Sequence, residues 1–219
     1  MSTGEQGRGR DWAIQHIPVD EDGARFTLDK LKPFRLAALQ HDPDAFGSDY
    51  AREVAFTDEV WLSRLHNPLA KTFVAVSPTT ADPRGEQGIV ASTTVFGPLP
   101  STAEDLHFME QSGLSAPWSL PVYHVTGVYT NPESRGRGIA KAVMGAALED
   151  LQATLQRADA GHEAGKPAAV IRVDVYAHNM AAHGLYSAAG FSEVESRNEA
   201  RESSEPGRRI LSMFRLLLA

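Results

Sequence analysis

Hydrophobic residues along this chain recur first at every second position, then at every third or fourth, and the alternation between these periods predicts its elements. Residues 12–17 alternate apolar and polar and predict a half-buried strand. Over 27–40, Leu28, Leu31, Phe34, Leu36 and Leu39 fall near a helical period, with Pro33 limiting where the helix can begin. After a turn at 41–44, a second helical stretch over 50–65 carries Val54, Val60, Trp61 and Leu65. Residues 72–76 and the β-branched run 88–96 predict two strands, with a loop over 78–85. The proline-rich stretch 97–121 reads as a long connection, either a lid over a substrate or an insertion.

The second half is more regular. It predicts a strand over 122–130 and a helix over 138–156, on which Ile139, Val143, Ala147, Leu151 and Leu155 form one apolar stripe. A loop over 159–167 follows, then a strand over 169–176, a helix over 181–189 ended by Gly190, and a short strand over 192–195. Residues 198–208 read as a hairpin or long loop around Pro206-Gly207, and 209–217 as a closing strand. The element order is that of a mixed α/β sheet.

At 219 residues, with 42% hydrophobic and 22% charged content, the chain is long enough for one domain, expected over 11–219, behind a polar tail at 1–10 expected to be disordered. No apolar run is long enough to span a bilayer, and the first residues hold no apolar segment of a secretory signal, so a cytoplasmic location is expected, the nucleus remaining open. Cysteine is absent, which removes disulfides, zinc–thiolate sites and an acyl-cysteine intermediate. His178 and His183 stand five apart with no HExxH motif, so no metal is expected. The net charge of −7 argues against nucleic-acid binding, although Gly7-Arg8-Gly9-Arg10 keeps RNA as a reading to test.

The densest information lies at 128–141. A strand runs through Val128, Tyr129 and Thr130 into a turn with Gly136, Gly138 and Ala140, then directly into a helix. Backbone N–H groups at such a helix start point at one spot, and the macrodipole adds positive charge there, which suits a phosphate or pyrophosphate. Arg135, Arg137 and Lys141 would add charge. The alternative is a tight turn that needs glycine for its dihedrals alone. Neither GxxxxGK[ST] nor GxGxxG is present.

The pattern Arg135-Gly136-Arg137-Gly138-Ile139-Ala140, with Pro132 upstream, resembles the GNAT superfamily of N-acetyltransferases, as does the later block Asn179-Met180-Ala181-Ala182-His183-Gly184-Leu185-Tyr186-Ser187-Ala188-Ala189-Gly190-Phe191. The resemblance implies a centrally splayed mixed sheet of about seven strands flanked by about four helices. It also implies acetyl-CoA as co-substrate and direct transfer of its acetyl group to a primary amine of a small molecule or a peptide. Val128 and Thr130 would pair with the pantetheine arm through their backbones, Arg135 through Lys141 would cradle the pyrophosphate, Asn179 would contact the cofactor, and Tyr186 would stand near its sulfur. Thr130 replaces the β-branched aliphatic residue more usual there.

Transfer to an amine requires loss of a proton from the acceptor, a donor to the oxyanion and a proton or hydrogen bond for the leaving thiolate. Tyr186 would donate to the thiolate, unless it is a packing tyrosine. His124 is the candidate base, because the family's histone-type members carry a glutamate at the corresponding place, eleven residues before Arg135; the alternative is a buried strand histidine with a structural hydrogen bond. By strand parity His124 would face the same way as Val128 and Thr130, roughly 20 Å from the latter at about 3.3 Å per residue. Asp42, Asp44, Asp49 and Glu53 would recruit a cationic amine or simply form a solvated acidic surface. Phe46, Trp61, Phe96 and Trp118 would line an acceptor cleft or belong to the core. A catalytically silent CoA-binding sensor remains the alternative to an enzyme, and a second copy of the chain is an admissible partner.

Overall fold

The computed structural model describes residues 11–78, 87–114, 120–158, 167–193, 201–202 and 209–218. The tail at 1–10, the loops expected at 78–85 and 159–167 and the segment 198–208 lie wholly or mostly outside these residues, as does Trp118.

One mixed sheet organises the chain. Its strands are β1 Ala13–His16, β2 Ala70–Pro78, β3 Gln87–Leu99, β4 Val122–Thr130, β5 Pro167–Tyr176, β6 Ser192–Glu193, β7 Arg201–Glu202 and β8 Arg209–Leu218. They lie in the order β1-β2-β3-β4-β5-β8-β6, with β7 also paired to β8. Among the described residues every pairing is antiparallel except β4 with β5. That parallel pair meets only at Val122↔Val170, Tyr123↔Ile171 and His124↔Arg172. Beyond it β4 stays with β3 and β5 stays with β8, so the sheet splits in its middle. A parallel pair also requires a crossover, supplied by the long helix Ile139–Ala158.

Both faces are covered, which explains the nearly unbroken apolar run of β2. Phe73 and Ala75 join the core under the helix Ile139–Ala158, with Val143, Met144, Ala147, Leu148 and Leu151. Val74 and Val76 face the other way, onto Ile17, Phe34, Ala38 and Tyr129. The helices are α1 Glu21–Phe26, α2 Lys32–His41, α3 Tyr50–Val54, α4 Asp58–Leu65, α5 Ala103–Gln111, α6 Ile139–Ala158 and α7 Met180–Ala188.

The front of the chain departs from the expected helices. The first begins at Glu21, not Thr27: Asp20 caps it by accepting from the Gly23 amide at 2.9 Å, and a side chain at position 23 would collide with the Pro18 carbonyl. Between α1 and α2, Thr27–Leu31 forms a π turn, with the Lys32 amide donating to the Thr27 carbonyl. Pro33 thereby falls in the first turn of α2, where its missing N–H costs least. The stretch expected as one helix over 50–65 divides into α3 and α4. The expected connection 97–121 contains α5, which a capping box starts: the Asp105 amide donates to Thr102 Oγ1 at 3.3 Å and the Thr102 amide to Asp105 Oδ2 at 2.7 Å.

Asp105 is fully buried, and Arg172 explains it. This β5 guanidinium meets Asp105 at 3.4 Å, Asp174 at 2.9 Å and Glu104 at 2.5 Å, pinning α5 against the sheet next to the split.

Candidate active site

Leaving β4, the chain makes a 3-10 turn at Pro132–Ser134, then passes Gly136 and Gly138 at φ of +73° and +74°. L side chains rarely adopt that backbone, so glycine is required at both positions. Nothing lies within 4 Å of where a Cβ would stand at either, so a ligand can approach the main chain closely. The Ala142 amide makes a bond to the Gly138 carbonyl, at 3.0 Å. The amides of Ile139, Ala140 and Lys141 precede the first turn's acceptors and are open for an anion.

A hollow of about 370 Å³ lies against this turn. It gathers Val128, Tyr129, Thr130, Arg135, Gly136, Gly138, Ile139, Ala140, Lys141, Asn179 and Tyr186, and leaves Arg137 outside its lining. Thr130 is opposite Ala91, between the Tyr129↔Ser92 pair and the Asn131 amide bond to the Val90 carbonyl. In the antiparallel alternation its own backbone groups therefore face the split, where its N–H remains for an extended chain to pair with while its carbonyl accepts from Arg135. Its hydroxyl is buried without a hydrogen-bond partner, again beside the hollow. The Asn179 side-chain oxygen caps α7 on the Ala182 amide at 3.1 Å, and its NH₂ remains to donate.

The two expected phosphate arginines are engaged elsewhere. Arg135 donates to the Thr130 carbonyl at 3.1 Å and to Asp42 at 2.6 Å, and Arg137 pairs with Asp11. Arg135 thus braces the turn, which leaves the backbone amides and Lys141 as donors toward the hollow. Tyr129 turns away into the core and donates to Asp42 at 2.7 Å; burial, then that carboxylate, pushes its phenol up to about 12. Burial works against the Asp42 carboxylate, but the bonds from Tyr129 and Arg135 outweigh it and hold its pKa down.

A second chamber, of about 310 Å³, opens where β4 and β5 part, and His124, Asp174 and Tyr186 share its lining. Tyr186 also lines the first hollow, and so stands between the two. It is 6% exposed, packs edge-on against Phe191, and its hydroxyl has no hydrogen-bond partner among the described residues. Burial raises its phenol to about 12, so it is a proton donor throughout the neutral range.

The expected parity between His124 and Val128 fails. Thr94↔Thr126 is followed by Ser92↔Tyr129, so β4 holds one extra residue at Gly127, whose φ is +60°. Tyr123, Val125 and Val128 therefore pack under α6, while Tyr129 packs on the opposite face. A bulge reverses every later side chain, and alternation counted along the sequence cannot register it.

A third cavity, of about 350 Å³, lies between the front helices and the sheet, and shares Arg35, Thr126 and Gly127 with the His124 chamber. Trp61 and Phe96 line it, and Phe46 lines the chamber. The acidic recruitment expected here is not what the structure builds: Asp42 serves Tyr129 and Arg135, Asp49 caps α3, and Glu53 is buried beneath Arg35 and Arg64. Burial opposes the Glu53 charge, but the hydrogen bond and charge of Arg35 outweigh it and hold its pKa down. Arg35, Arg64 and Asp174 escaped the sequence reading because they come from separate elements; Asp174, a charge between Val173 and Val175, was the one local signal. His178 stacks on Tyr176 and His183 meets Glu193 at 2.5 Å, so each has its own partner.

Residues 107–191 match the model of the acetyltransferase (GNAT) family. A comparison with curated protein sequences finds no match. Among solved structures, spermidine N-acetyltransferase from Vibrio cholerae, in complex with CoA and spermine, is similar at 13% identity and a TM-score of 0.57, over 94% of this chain and 95% of that one. NAA60 from Arabidopsis thaliana, in complex with a bisubstrate analogue, is similar at 16% identity and 0.57, over 94% and 98%. Ribosomal-protein-alanine N-acetyltransferase from Brucella melitensis is similar at 16% identity and 0.55, over 94% and 99%. At these identities the likeness is one of fold. Residues 107–191 thus match the acetyltransferase (GNAT) family, a family of acyltransferases, and they sit within a fold shared with solved N-acetyltransferases.

Proposed function

We propose that this protein transfers the acetyl group of acetyl-CoA directly to the amine of a small-molecule or peptide acceptor, in the cytoplasm. The observation that carries the reading is the position of Tyr186, between a hollow walled by open α6 amides and a chamber walled by His124. The amides of Ile139, Ala140 and Lys141 would hold the pyrophosphate, and the open edge of β4 at Val128 and Thr130 the pantetheine arm. His124 would take the acceptor's proton, directly or through water, with the Asp174 carboxylate supplying negative charge in the same chamber. Tyr186 would donate to the departing thiolate. Solved structures of this fold, spermidine N-acetyltransferase and NAA60 among them, are described with CoA or acetyl-CoA bound, which supports the co-substrate.

The test pairs calorimetry with acetyl-CoA and thiol release over a panel of amines. Binding together with amine-dependent release is expected. Binding without release for any amine would leave a CoA-binding module, and no binding would overturn the proposal.

A further inference from the structure

The cavity behind Arg35 has a charge opposite to that of the chain. Its charged lining consists of Arg35, Arg64 and Glu53. Arg35 donates to both Glu53 oxygens, at 3.2 and 2.9 Å, and Arg64 to one of them at 3.2 Å. Two guanidiniums against one buried carboxylate leave an excess of one positive charge at the wall. Glu53 is 2% exposed, whereas the Arg64 side chain is 46% exposed and retains donors of its own.

Two further polar side chains stand in the cavity wall. Thr27 and Trp61 line the same cavity, are 1% and 3% exposed, and their Oγ1 and Nε1 atoms are buried with no hydrogen-bond partner. An indole N–H can only donate, and a buried donor left unpaired is costly. The remaining wall includes Ile17, Leu31, Leu65 and Phe96, enough for an apolar body. The cavity volume is in the range of small-molecule sites.

We propose that the acceptor is an amino acid or a close analogue, whose carboxylate binds at Arg35 and Arg64 and whose amine reaches the His124 chamber through the wall the two cavities share. This rests on the acetyl-transfer reading above and narrows its substrate class. A monoanion matches the single excess charge; a dianionic phosphate would overbalance it, and a polyamine would meet like charge. In the reaction the nitrogen bonds to the acetyl carbon as the carbon–sulfur bond breaks. The ammonium group loses two protons, one released by way of His124 and one ending on the thiol.

Thiol release is compared for leucine and phenylalanine against leucinamide and phenylalaninamide, with spermidine as a third arm, alongside calorimetry with acetyl-CoA. The acids are expected to exceed their amides at least tenfold in kcat/KM. Arg64→Gln is expected to raise KM for the acids at least tenfold, abolishing that preference, with acetyl-CoA affinity nearly unchanged and Glu53 still held by Arg35. Turnover in which amides or spermidine equal the acids, or a preference that survives Arg64→Gln, overturns the substrate class and leaves acetyl transfer standing. Absence of acetyl-CoA binding overturns both.

Discussion

Replacing Tyr186 by phenylalanine removes one oxygen from a side chain that is 6% exposed and leaves the ring against Phe191. In the free protein that hydroxyl has no partner among the described residues, so folding loses no hydrogen bond when it goes. A packing tyrosine with a structural bond would lose about 0.5–1.5 kcal/mol; here the expected change in stability is about zero, or slightly favourable. Catalysis should behave differently. A hydrogen bond to a charged group contributes about 1.5–3 kcal/mol, and a bond to the leaving thiolate exists only as the thiolate forms. At about 1.36 kcal/mol per factor of ten, kcat should fall about 10- to 150-fold with KM for acetyl-CoA nearly unchanged. Urea denaturation and steady-state thiol release on the same preparations read the two quantities separately. A kcat within twofold of the unsubstituted protein, or a stability loss of a full kcal/mol, would refute the reasoning.

Four further outcomes are expected. Arg172→Met leaves the fully buried Asp105 without its cation and should cost about 3–5 kcal/mol, read as a lowered urea midpoint. Gly138→Ala meets no neighbour but must hold φ at +74°, so it should cost about 1–2 kcal/mol by denaturation and weaken acetyl-CoA binding in calorimetry; unchanged affinity would argue against the amide cradle. The raised phenols of Tyr129 and Tyr186 bear on alkaline stability: below pH 10 neither ionises in either state, and above it the unfolded chain alone gives up the protons. Stability should therefore fall between about pH 10 and 12, by up to about 1.4 kcal/mol per pH unit for each phenol, and Tyr186→Phe should flatten that fall. Glu53 acts at the acid end, where its lowered pKa gives stability that is present above its unfolded value and lost as pH drops through the folded one.

What the chain determined alone was local. Glycines at 136 and 138, a helical stripe after them and a strand before them are short-range signals, and they specify a glycine-opened helix start with free amides without any tertiary contact. The second block behaves the same way, since Asn179 caps the helix that carries Tyr186 seven residues later. The α1 start and α5 were also written locally, in Asp20 and in Thr102 with Asp105, but Gly23, Pro33 and the prolines near 98–121 masked them. The rest depended on assembly. A single residue inserted at Gly127 decides which way Val128 points, and it exists only relative to the register with β3. The chamber exists because β4 and β5 part after His124↔Arg172, and the cavity charge exists because Glu53 from α3 is sandwiched between Arg35 from α2 and Arg64 from α4. Glu53, which the sequence leaves as either an amine-recruiting or a solvated carboxylate, thus becomes the buried anchor of two cations, because Coulombic pairing depends on separation in space and on the water removed, and separation along the chain fixes neither.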